Sequence, residues 1–313
     1  MPELPDLVIY LEQLRIRVLN EALQGIRLLT PFVLRSVAPP LERAVGRKVL
    51  ELRRLGKRIV LCLEGDLFLV LHLMIAGRLH WYPTASVKAG RNGVAVFSFP
   101  SGNLLFTEAG SKKRAALHLV QGEAELRMLD RGGVEVLECD LLGFRAALRR
   151  ENHTLKRALT DPHLFSGIGN AYSDEILHRA GLSPVALTQR LPDEAVERLF
   201  LASQAILREW VERLRKETGS AFPERVTAFR AGMAVHGRFQ RPCPACGTAV
   251  QRIAHAENEA NYCPRCQTGG KLLADRALSR LLKTDWPRTL EEMENRKATA
   301  RDSIVLKESA GKR

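Results

Sequence analysis

Hydrophobic residues recur at helical spacing near the start of the chain. After Pro5 the apolar positions follow one another at intervals of three or four residues, at Leu7, Leu11, Leu14 and Val18. Asp6 is available to cap the first turn. The pattern predicts an early helix that holds the amino terminus against the body of the protein.

The hydrophobic pattern changes between about residues 26 and 120 to short, often alternating runs that are typical of β-strands. Turn residues in EGD, AGRNG and PSGN separate these runs, which are VLELRRL, KRIVLCLEG, LFLVLHLM, VAVFSF and NLLFTE. Several short strands joined by tight turns favour an antiparallel sandwich or barrel.

Helical periodicity returns from about residue 138 to 218, in FRAALRRE, TLKRALTD, NAYSDEILHRAG and PDEAVERLFLASQAILREWVERLRKE. A cysteine-containing module follows. Beyond it, GGKLLADRALSRLLK predicts an amphipathic helix, and TLEE offers a capping box through Thr289 and Glu292. The last segment, RKATARDSIVLKESAGKR, is typical of a solvated basic tail. The chain is therefore predicted to be an α+β multidomain protein.

The charge of the chain points to its partners. The sequence has 313 residues and a net charge of +13, with an isoelectric point near 9.8. Such an excess of Lys and Arg favours a polyanionic partner, either nucleic acid or an anionic membrane surface, although charge alone also fits a merely soluble basic surface. The most apolar region, residues 59–77, is interrupted by Glu64, Asp66 and His72, so it is interpreted as two buried strands and a turn rather than a membrane span.

Four of the six cysteines form the pattern C-x2-C-x16-C-x2-C: Cys243, Cys246, Cys263 and Cys266. This spacing predicts one structural zinc ion, because four thiolates leave no open coordination position, and the intervening residues can form a β-hairpin. Two accidental pairs of buried cysteines are the alternative. Cys62 and Cys139 lie far apart in apolar settings and are expected to be buried thiols in a reducing cytosol.

The stretch FSGIGNAYSDEILHRAGLSP predicts a tight glycine turn that opens a helix. Gly167 and Gly169 allow unusual backbone angles, Asn170 lies near the start of the helix, and Lys156 lies in the preceding helix. Free N–H groups at a helix start bind anions, so a phosphate is expected here, with an ordinary helical hairpin as the alternative. Glu175 is expected to be a solvated helix charge or an organiser of that phosphate site.

Taken in order, these segments resemble the formamidopyrimidine-DNA glycosylase/endonuclease VIII family. The resemblance is carried by MPELPDLV, RLGKRIVL, HLMIAGRL, GIGNAYSDE and the four-cysteine module, and it spans about residues 1–270. It implies an N-terminal β-sandwich over 1–125, a DNA-binding helix-two-turn-helix domain over 126–222, a zinc finger over 223–270 and a C-terminal extension over 271–313. It also implies a base-excision-repair enzyme that is both a DNA glycosylase and an AP lyase.

The resemblance assigns roles to individual residues. Pro2 would be the nucleophile, Glu3 the proton donor, and Lys57 a second catalytic group or phosphate contact. Lys156 and Asn170 would grip the DNA backbone around the lesion. Removal of Met1 would expose a secondary amine, and since a free α-amino group has a pKa of about 8, a useful fraction is neutral near pH 7.

The sequence departs from the family pattern in the parts that recognise the lesion. Ile75 occupies the position of the family's wedge methionine, and the loop that supplies an arginine and an aromatic reads EAGSKKRAAL here, with Arg114 or Lys113 as substitutes. Asn258 stands where the zinc finger usually carries an arginine. The segment before the zinc module also differs from the family's lesion-capping loop.

The resemblance implies oxidised purines (8-oxoguanine and formamidopyrimidines) as the default substrates, which would be excised from DNA through a Pro2 Schiff base, with strand cleavage by β- or β,δ-elimination. The alternatives are an endonuclease VIII-like enzyme for oxidised pyrimidines or single-stranded lesions, and a non-catalytic protein that binds abasic or damaged DNA. Damaged DNA is the expected partner, and a cytoplasmic monomer with no membrane partner and no organic cofactor is expected. An RNA-binding zinc ribbon is disfavoured, because this combination of domains suits single strands poorly.

Overall fold

The computed structural model describes residues 1–83, 87–110, 112–224, 226–255, 258–274 and 287–296. The chain forms two compact units. Unit 1 comprises Met1–Arg150, Leu159–Gly169 and Ser203–Ala228, and unit 2 comprises Glu151–Ala158, Asn170–Ala202 and Phe229–Arg313. Among the described residues, no helix has both the length and the apolar character needed to span a bilayer.

The described part of unit 1 contains eight strands: β1 (Gly25–Leu28), β2 (Val49–Leu55), β3 (Arg58–Leu63), β4 (Leu67–His72), β5 (Gly77–Tyr82), β6 (Gly93–Phe99), β7 (Gly102–Glu108) and β8 (Ala116–Gln121). They form two antiparallel four-stranded sheets, with strand orders β1-β6-β7-β5 and β2-β3-β4-β8. Alternate residues of both sheets share one apolar core, which includes Leu61, Leu69, Phe97 and Phe106. The predicted antiparallel sandwich is therefore confirmed.

The second sheet also has an outer apolar cluster. Val60, Cys62, Phe68, Val70 and Val120 lie on the face opposite the main core and pack against helix α2 (Glu123–Met128). The Cys62 thiol is buried, as predicted, and burial raises its pKa to about 11. Cys139 was also predicted to be buried, but its thiol is only partly buried.

Helix α1 (Leu4–Val18) packs its apolar stripe into the sandwich core. The helix begins earlier than Asp6, because Glu3 is the N-cap residue and Pro5 lies in the first turn, where a missing N–H costs no hydrogen bond. Asp6 instead occupies the third helical position, and its Oδ2 accepts a hydrogen bond from the backbone N–H of Glu3 at 2.9 Å. Asp6 is therefore not the N-cap residue that the sequence suggested. It supplies the other half of a capping box, because it accepts a hydrogen bond from the N-cap residue Glu3.

The helical part of the chain comprises α3 (Leu141–Arg149), α4 (Leu155–Thr160), α5 (Asn170–Ala180) and α6 (Asp193–Thr218). Asp140 caps α3, since its Oδ1 accepts from the N–H of Gly143 at 2.8 Å. Gly181 follows α5 with φ of +65°, the left-handed conformation that commonly ends a helix. All four segments predicted to be helical are confirmed.

The cysteine module folds into the predicted hairpin of β9 (Gln251–His255) and β10 (Asn258–Tyr262), followed by α7 (Pro264–Thr268). Residues 290–296 are helical, and Thr289 Oγ1 accepts from the N–H of Glu292 at 3.2 Å, which is one half of the predicted capping box. The Glu292 carboxylate accepts from the N–H of Arg288 at 2.7 Å in place of that of Thr289. Most of the predicted helix over 269–283, and the basic tail after Arg296, lie outside the described residues. The α+β class is confirmed, and the division into four domains stays a prediction.

Candidate functional site

The amino terminus of unit 1 is held by the glycine turn of residues 167–169. Pro2 and Glu3 are buried. The N–H of Leu4 donates to the carbonyl of Gly167 at 2.9 Å, and the N–H of Gly169 donates to Oε2 of Glu3 at 2.7 Å. The carboxylate of Glu3 is therefore fixed by a residue far along the chain.

The two glycines are required by this close approach. A Cβ at Gly169 would lie 2.6 Å from the carboxyl carbon of Glu3. A Cβ at Gly167, whose φ is +78°, would lie 2.8 Å from the Cβ of Leu4. The sequence pattern predicts a phosphate at this turn, but the anion that the Gly169 amide receives is the protein's own Glu3 carboxylate.

Further contacts keep α1 in place. Tyr10 is fully buried, and its hydroxyl accepts from the N–H of Leu79 at 3.3 Å. Arg15 donates to the carbonyl of Leu52 at 2.8 Å, which connects α1 with β2. A chain terminus anchored by packing and hydrogen bonds on several elements is suited to present a reactive group in one position.

Charged side chains surround the terminus. Burial lowers the pKa of the Met1 α-amino group, the positive charges of Arg78 and Lys57 lower it further, and the carboxylates of Glu3 and Asp6 oppose this shift. Pro2, Glu3 and Lys57, which the sequence predicts as catalytic, are thus brought together within unit 1. Arg78 was not predicted.

Arg78 is fixed by backbone carbonyls around it. Its side chain donates to the carbonyl of Val226 at 2.5 Å, to that of Gly77 at 2.6 Å and to that of Ile75 at 3.1 Å. The signal that could have revealed Arg78 is its place directly after the glycine of HLMIAGR.

A group of arginine and histidine side chains that the sequence did not predict lies on the outer face of the second sheet. Arg58 pairs with His72 across β3 and β4, and the neighbouring strand β8 contributes His118. Burial lowers the pKa of His72 to about 4, and the charges of Arg58, Lys57, His118 and Arg131 act in the same direction. The sequence signal for this group was His72, a polar residue at the end of the otherwise apolar run over 67–72.

Two loops that carry predicted DNA-binding residues are adjacent. Ile75, in the β4–β5 turn, is 55% exposed. Arg114 lies in the β7–β8 loop, and the N–H of Ala109 in that loop donates to the carbonyl of Ala76 at 3.3 Å. The register that pairs Gly77 with Glu108 explains why both loops emerge at the same sheet end.

The β7–β8 loop is shaped by a buried carboxylate. Glu108 is 2% exposed, and its Oε1 accepts from the N–H groups of Arg114 at 2.8 Å and Ala115 at 3.0 Å. Lys113 also contacts the carbonyl of Glu108. As a result, Glu108 anchors the loop that carries three consecutive exposed cations, Lys112, Lys113 and Arg114.

In unit 2, Lys156 is engaged within the protein. Its Nζ donates to Oδ1 of Asp174 at 2.5 Å, to Oγ of Ser173 at 2.8 Å and to the carbonyl of Asn170 at 2.6 Å. These acceptors match the three protons of an ammonium group. The structure thus brings Lys156 and Asn170 together, and the contacts of Lys156 indicate that it stabilises the first turns of α5.

Asp174 is the centre of a buried polar network that was not predicted. Its side chain is fully buried, and Oδ2 contacts Nδ1 of His236 at 2.8 Å and Nδ2 of Asn261 at 3.2 Å, in addition to the Lys156 ion pair. A buried carboxylate needs such partners, because an unpaired charge in the interior is costly. The network connects α4, α5, the segment before the zinc module and β10.

Glu175 was expected to be either a solvated helix charge or an organiser of the phosphate site, and the first of these alternatives is wrong. The side chain is 3% exposed, and its carboxylate accepts from the backbone N–H groups of Ala234 at 2.6 Å and of Val235 and His236 at 2.9 Å each. Three N–H donors satisfy the buried charge and hold the segment before the zinc module against α5.

The four predicted zinc ligands converge in unit 2. The Sγ atoms of Cys243, Cys246, Cys263 and Cys266 all lie within 4.8 Å of one another. The Cys243–Cys266 separation is 3.9 Å and the Cys246–Cys263 separation is 3.4 Å. A tetrahedral zinc with Zn–S bonds of about 2.3 Å requires S–S separations of roughly 3.8 Å, so this donor set fits one structural Zn²⁺ ion.

Three known domains match the chain in order. Residues 1–130 match the formamidopyrimidine-DNA glycosylase N-terminal domain, residues 135–221 match the formamidopyrimidine-DNA glycosylase H2TH domain, and residues 241–269 match the zinc finger found in FPG and IleRS. The chain is also 33% identical over 282 residues to a formamidopyrimidine-DNA glycosylase of Heliobacterium modesticaldum, covering 85% of this chain and 100% of the relative.

Solved structures share the fold. The crystal structure of MutM (Fpg) from Thermus thermophilus superposes with a TM-score of 0.71 at 31% identity, covering 85% of this chain and 98% of that one. A structure of MutM in complex with carbocyclic 8-oxo-G containing DNA gives a TM-score of 0.75 at 21% identity, with 85% and 100% coverage. The chain belongs to the formamidopyrimidine-DNA glycosylase/endonuclease VIII family, a family of DNA N-glycosylases with AP lyase activity.

Proposed function

We propose that this protein removes oxidised bases from DNA through a covalent intermediate on Pro2 and then cleaves the strand. The geometry of the amino terminus supports this proposal most directly. Pro2 is buried beside Glu3, whose carboxylate is fixed by the Gly169 amide, and the charges of Lys57 and Arg78 reach the terminal amine. A protein that only binds DNA needs none of these arrangements.

The nucleophile is the secondary amine that Pro2 carries once Met1 is removed. Burial and the positive charges of Arg78 and Lys57 lower the pKa of the α-amino group that Met1 carries. The Pro2 amine lies next to that position after Met1 is removed, so we expect the same surroundings to favour its neutral form, which can attack. Attack of the Pro2 nitrogen on C1′ of the damaged nucleotide forms a C1′–N bond as the bond to the base breaks, and the amine proton passes to the Glu3 carboxylate. The C1′–O4′ bond then breaks, the ring oxygen takes up that proton, and C1′ becomes part of an iminium ion. The iminium ion accepts the electron pair that is released when the C2′ proton is removed, and the 3′-phosphate then leaves.

Glu3 serves as the proton donor. A carboxyl group beside the amine can protonate the ring oxygen of the sugar and later shuttle protons during elimination. The hydrogen bond from Gly169 fixes the orientation of the carboxyl group before substrate arrives. A proton donor that is already held in its reactive orientation speeds the chemical step, because the side chain does not have to rearrange first.

Lys57 and Arg58 bind phosphate in this proposal. They lie at one end of the second sheet beside His72, whose pKa of about 4 leaves its imidazole neutral near pH 7, and His118 lies on the adjacent strand. In unit 2, Asn170 at the start of α5 binds the phosphate backbone of the DNA. Because phosphate contacts release counterions, affinity for DNA falls steeply with salt concentration.

The proposed substrate class is oxidised purines, the class present in the DNA-bound MutM structure described above. One observation favours a second class. The β7–β8 loop presents Lys112, Lys113 and Arg114 and no aromatic side chain, so it is poorly suited to fill the gap left by a base flipped out of a duplex. Oxidised pyrimidines or lesions in single-stranded DNA are therefore the second candidate.

Borohydride trapping tests the proposed chemistry. Protein with a free Pro2 is expected to form a covalent complex with lesion DNA that survives denaturing electrophoresis. A matched protein with an uncleavable N-terminal tag should bind the same DNA without being trapped, and a C-terminal tag serves as the control. Equal trapping of both proteins would overturn the role of Pro2, and binding without trapping in either would identify a damage-binding protein.

A panel of lesion oligonucleotides tests the substrate. Each lesion is presented in matched single-stranded and duplex form to the same preparation. Faster excision of 8-oxoguanine from duplex DNA supports the first class, and faster excision of oxidised pyrimidines or of single-stranded lesions supports the second. We also propose that the protein acts as a monomer, since each chain carries its own terminal amine and zinc ligands, and that it acts in the cytoplasm.

A further inference from the structure

Helix α5 carries a stripe of polar residues at intervals of four. Asn170 begins the helix, Asp174 follows one turn later, and His178 follows a turn after that. Residues spaced by four lie on the same helix face. Asp174 is the centre of the buried network, whereas nothing in the proposed function uses His178.

His178 contacts a zinc ligand. Its Nε2 lies 3.2 Å from the Sγ of Cys243. A thiolate that coordinates zinc carries no proton, so the only hydrogen bond available to this pair is donation from the imidazole N–H to the sulfur. The direction of the hydrogen bond follows from the metal chemistry.

The zinc centre needs such donors because it is negatively charged. One Zn²⁺ ion with four thiolates carries a net charge of −2, which hydrogen bonds to sulfur partly neutralise. The module supplies some donors itself: the N–H of Cys266 lies 3.5 Å from Sγ of Cys263, and Thr248 hydrogen-bonds Cys246. His178 adds a donor from a helix outside the module.

A hydrogen bond and a close backbone approach also connect the module with the residues that follow α5. Gln267 donates to the carbonyl of Leu182 at 2.9 Å, and its Oε1 accepts from the N–H of Cys263 at 2.8 Å. A Cβ added to Gly181 would lie 3.5 Å from the carbonyl oxygen of Cys266. The approach is therefore close enough for His178 to hold one orientation against Cys243.

We propose that His178 is a positioning residue of the zinc centre, which donates a hydrogen bond to the Cys243 thiolate, retards the loss of zinc and secures the C-terminal end of α5. The ligand is the zinc ion already indicated by the four cysteines, and His178 acts on it through Cys243. This role is independent of the glycosylase chemistry.

Zinc release from the full-length, zinc-loaded protein tests this role. The protein is mixed with excess chelator, and the metal is followed with a chromogenic zinc indicator. His178→Phe keeps an aromatic ring and removes the donor, so its zinc should be lost about tenfold faster than from the wild type. His178→Gln retains an N–H donor and should restore much of the difference. His163→Phe, the same change at an exposed histidine, should release zinc at the wild-type rate. Equal release rates for His178→Phe and wild type would overturn the proposal.

Cobalt substitution gives a readout that does not depend on how well His178→Phe folds. Without the hydrogen bond the Cys243 sulfur is richer in electrons, so the sulfur-to-cobalt charge-transfer band of His178→Leu should move to lower energy. His178→Gln should keep the band near its wild-type position. Identical band positions in wild type, His178→Leu and His178→Gln would show that no hydrogen bond reaches the metal ligand.

Discussion

The two units fix their functional groups by different physical means. In unit 1, a backbone amide of the glycine turn holds Glu3, and the turn has no room for an added side-chain atom. In unit 2, the buried carboxylates of Asp174 and Glu175 hold α5, and they depend on the partners that compensate their charge. Unit 1 should therefore be sensitive to added volume and unit 2 to altered charge.

Removing the central charge of unit 2 should have the largest effect. In Asp174→Ala, Lys156 and His236 lose the carboxylate that pairs with them, and a buried ion pair broken from one side costs about 4 kcal/mol. Amides of α5 that exchange by local opening should then exchange hydrogen roughly a thousandfold faster. Hydrogen exchange measured by mass spectrometry reports this change.

The matched control removes an exposed carboxylate. Glu217 pairs with Arg213 on the surface of α6, where Glu217→Ala should change stability by about 0.5 kcal/mol or less. Similar exchange of α5 amides in the Asp174→Ala and wild-type proteins would show that packing, and not the paired charge, holds α5.

Adding one methyl group in unit 1 should have the next largest effect. In Gly169→Ala the new Cβ meets the carboxyl carbon of Glu3 at 2.6 Å, so either the carboxylate or the turn must move. A displacement of about 1 Å in a catalytic group can reduce the rate roughly a hundredfold. Single-turnover excision from a lesion duplex measures this loss.

Gly25→Ala is the control, because a Cβ at Gly25 has no neighbour within 4 Å. Thermal unfolding of both variants separates misplacement of Glu3 from general destabilisation. A Gly169→Ala protein with the excision rate of wild type would remove the fixed carboxylate from the mechanism.

The cationic end of the second sheet should make unit 1 sensitive to acid. The pKa of His72 is about 4 in the folded protein and near 6.5 when unfolded, so the unfolded chain binds more protons between these values. The stability that neutral His72 contributes is present above pH 6.5 and is lost as the pH falls towards 4. The loss should amount to about 3 kcal/mol, because each pKa unit of difference corresponds to about 1.4 kcal/mol.

Thermal unfolding of His72→Gln and wild type across pH 7 to 4.5 checks this sign. The variant should show a flatter dependence, because it has no imidazole to protonate beside Arg58, Lys57, His118 and Arg131. His163→Gln, at an exposed position, should retain the wild-type slope. Parallel curves for His72→Gln and wild type would assign the acid sensitivity to other groups.

The sequence predicts features that depend on local periodicity and spacing. The strands over 49–55 and 67–72 follow from alternation, and the zinc ligands follow from two CxxC pairs at a suitable separation. The family resemblance added Pro2, Glu3 and Lys57, and the structure brings all three together in unit 1.

Contacts between residues distant in sequence could not be predicted in this way. Glu3 meets Gly169, Glu175 meets the amides of 234–236, and His178 meets Cys243. An acidic residue on a helix has the same local pattern whether it is solvated or buried, so the environment of Glu175 was misjudged. Burial of a charge is decided by partners that local periodicity does not reveal.

The smallest expected effect concerns the loop that Glu108 supports. If Lys113 and Arg114 contact DNA phosphates, Lys113→Ala/Arg114→Ala should reduce the slope of log affinity against log salt by about 2. Arg47→Ala/Lys48→Ala removes the same charge beside the β3–β4 turn, at the end of the second sheet opposite His72, and should leave the slope nearly unchanged.

The same variants can be assayed on matched single-stranded and duplex lesions. Because the loop offers charge rather than an aromatic wedge, its loss should weaken excision from both forms to a similar extent, by a few-fold. A loss confined to duplex DNA would show instead that these cations fill the vacated stack, and would favour the duplex-specific oxidised-purine substrate over the single-stranded one.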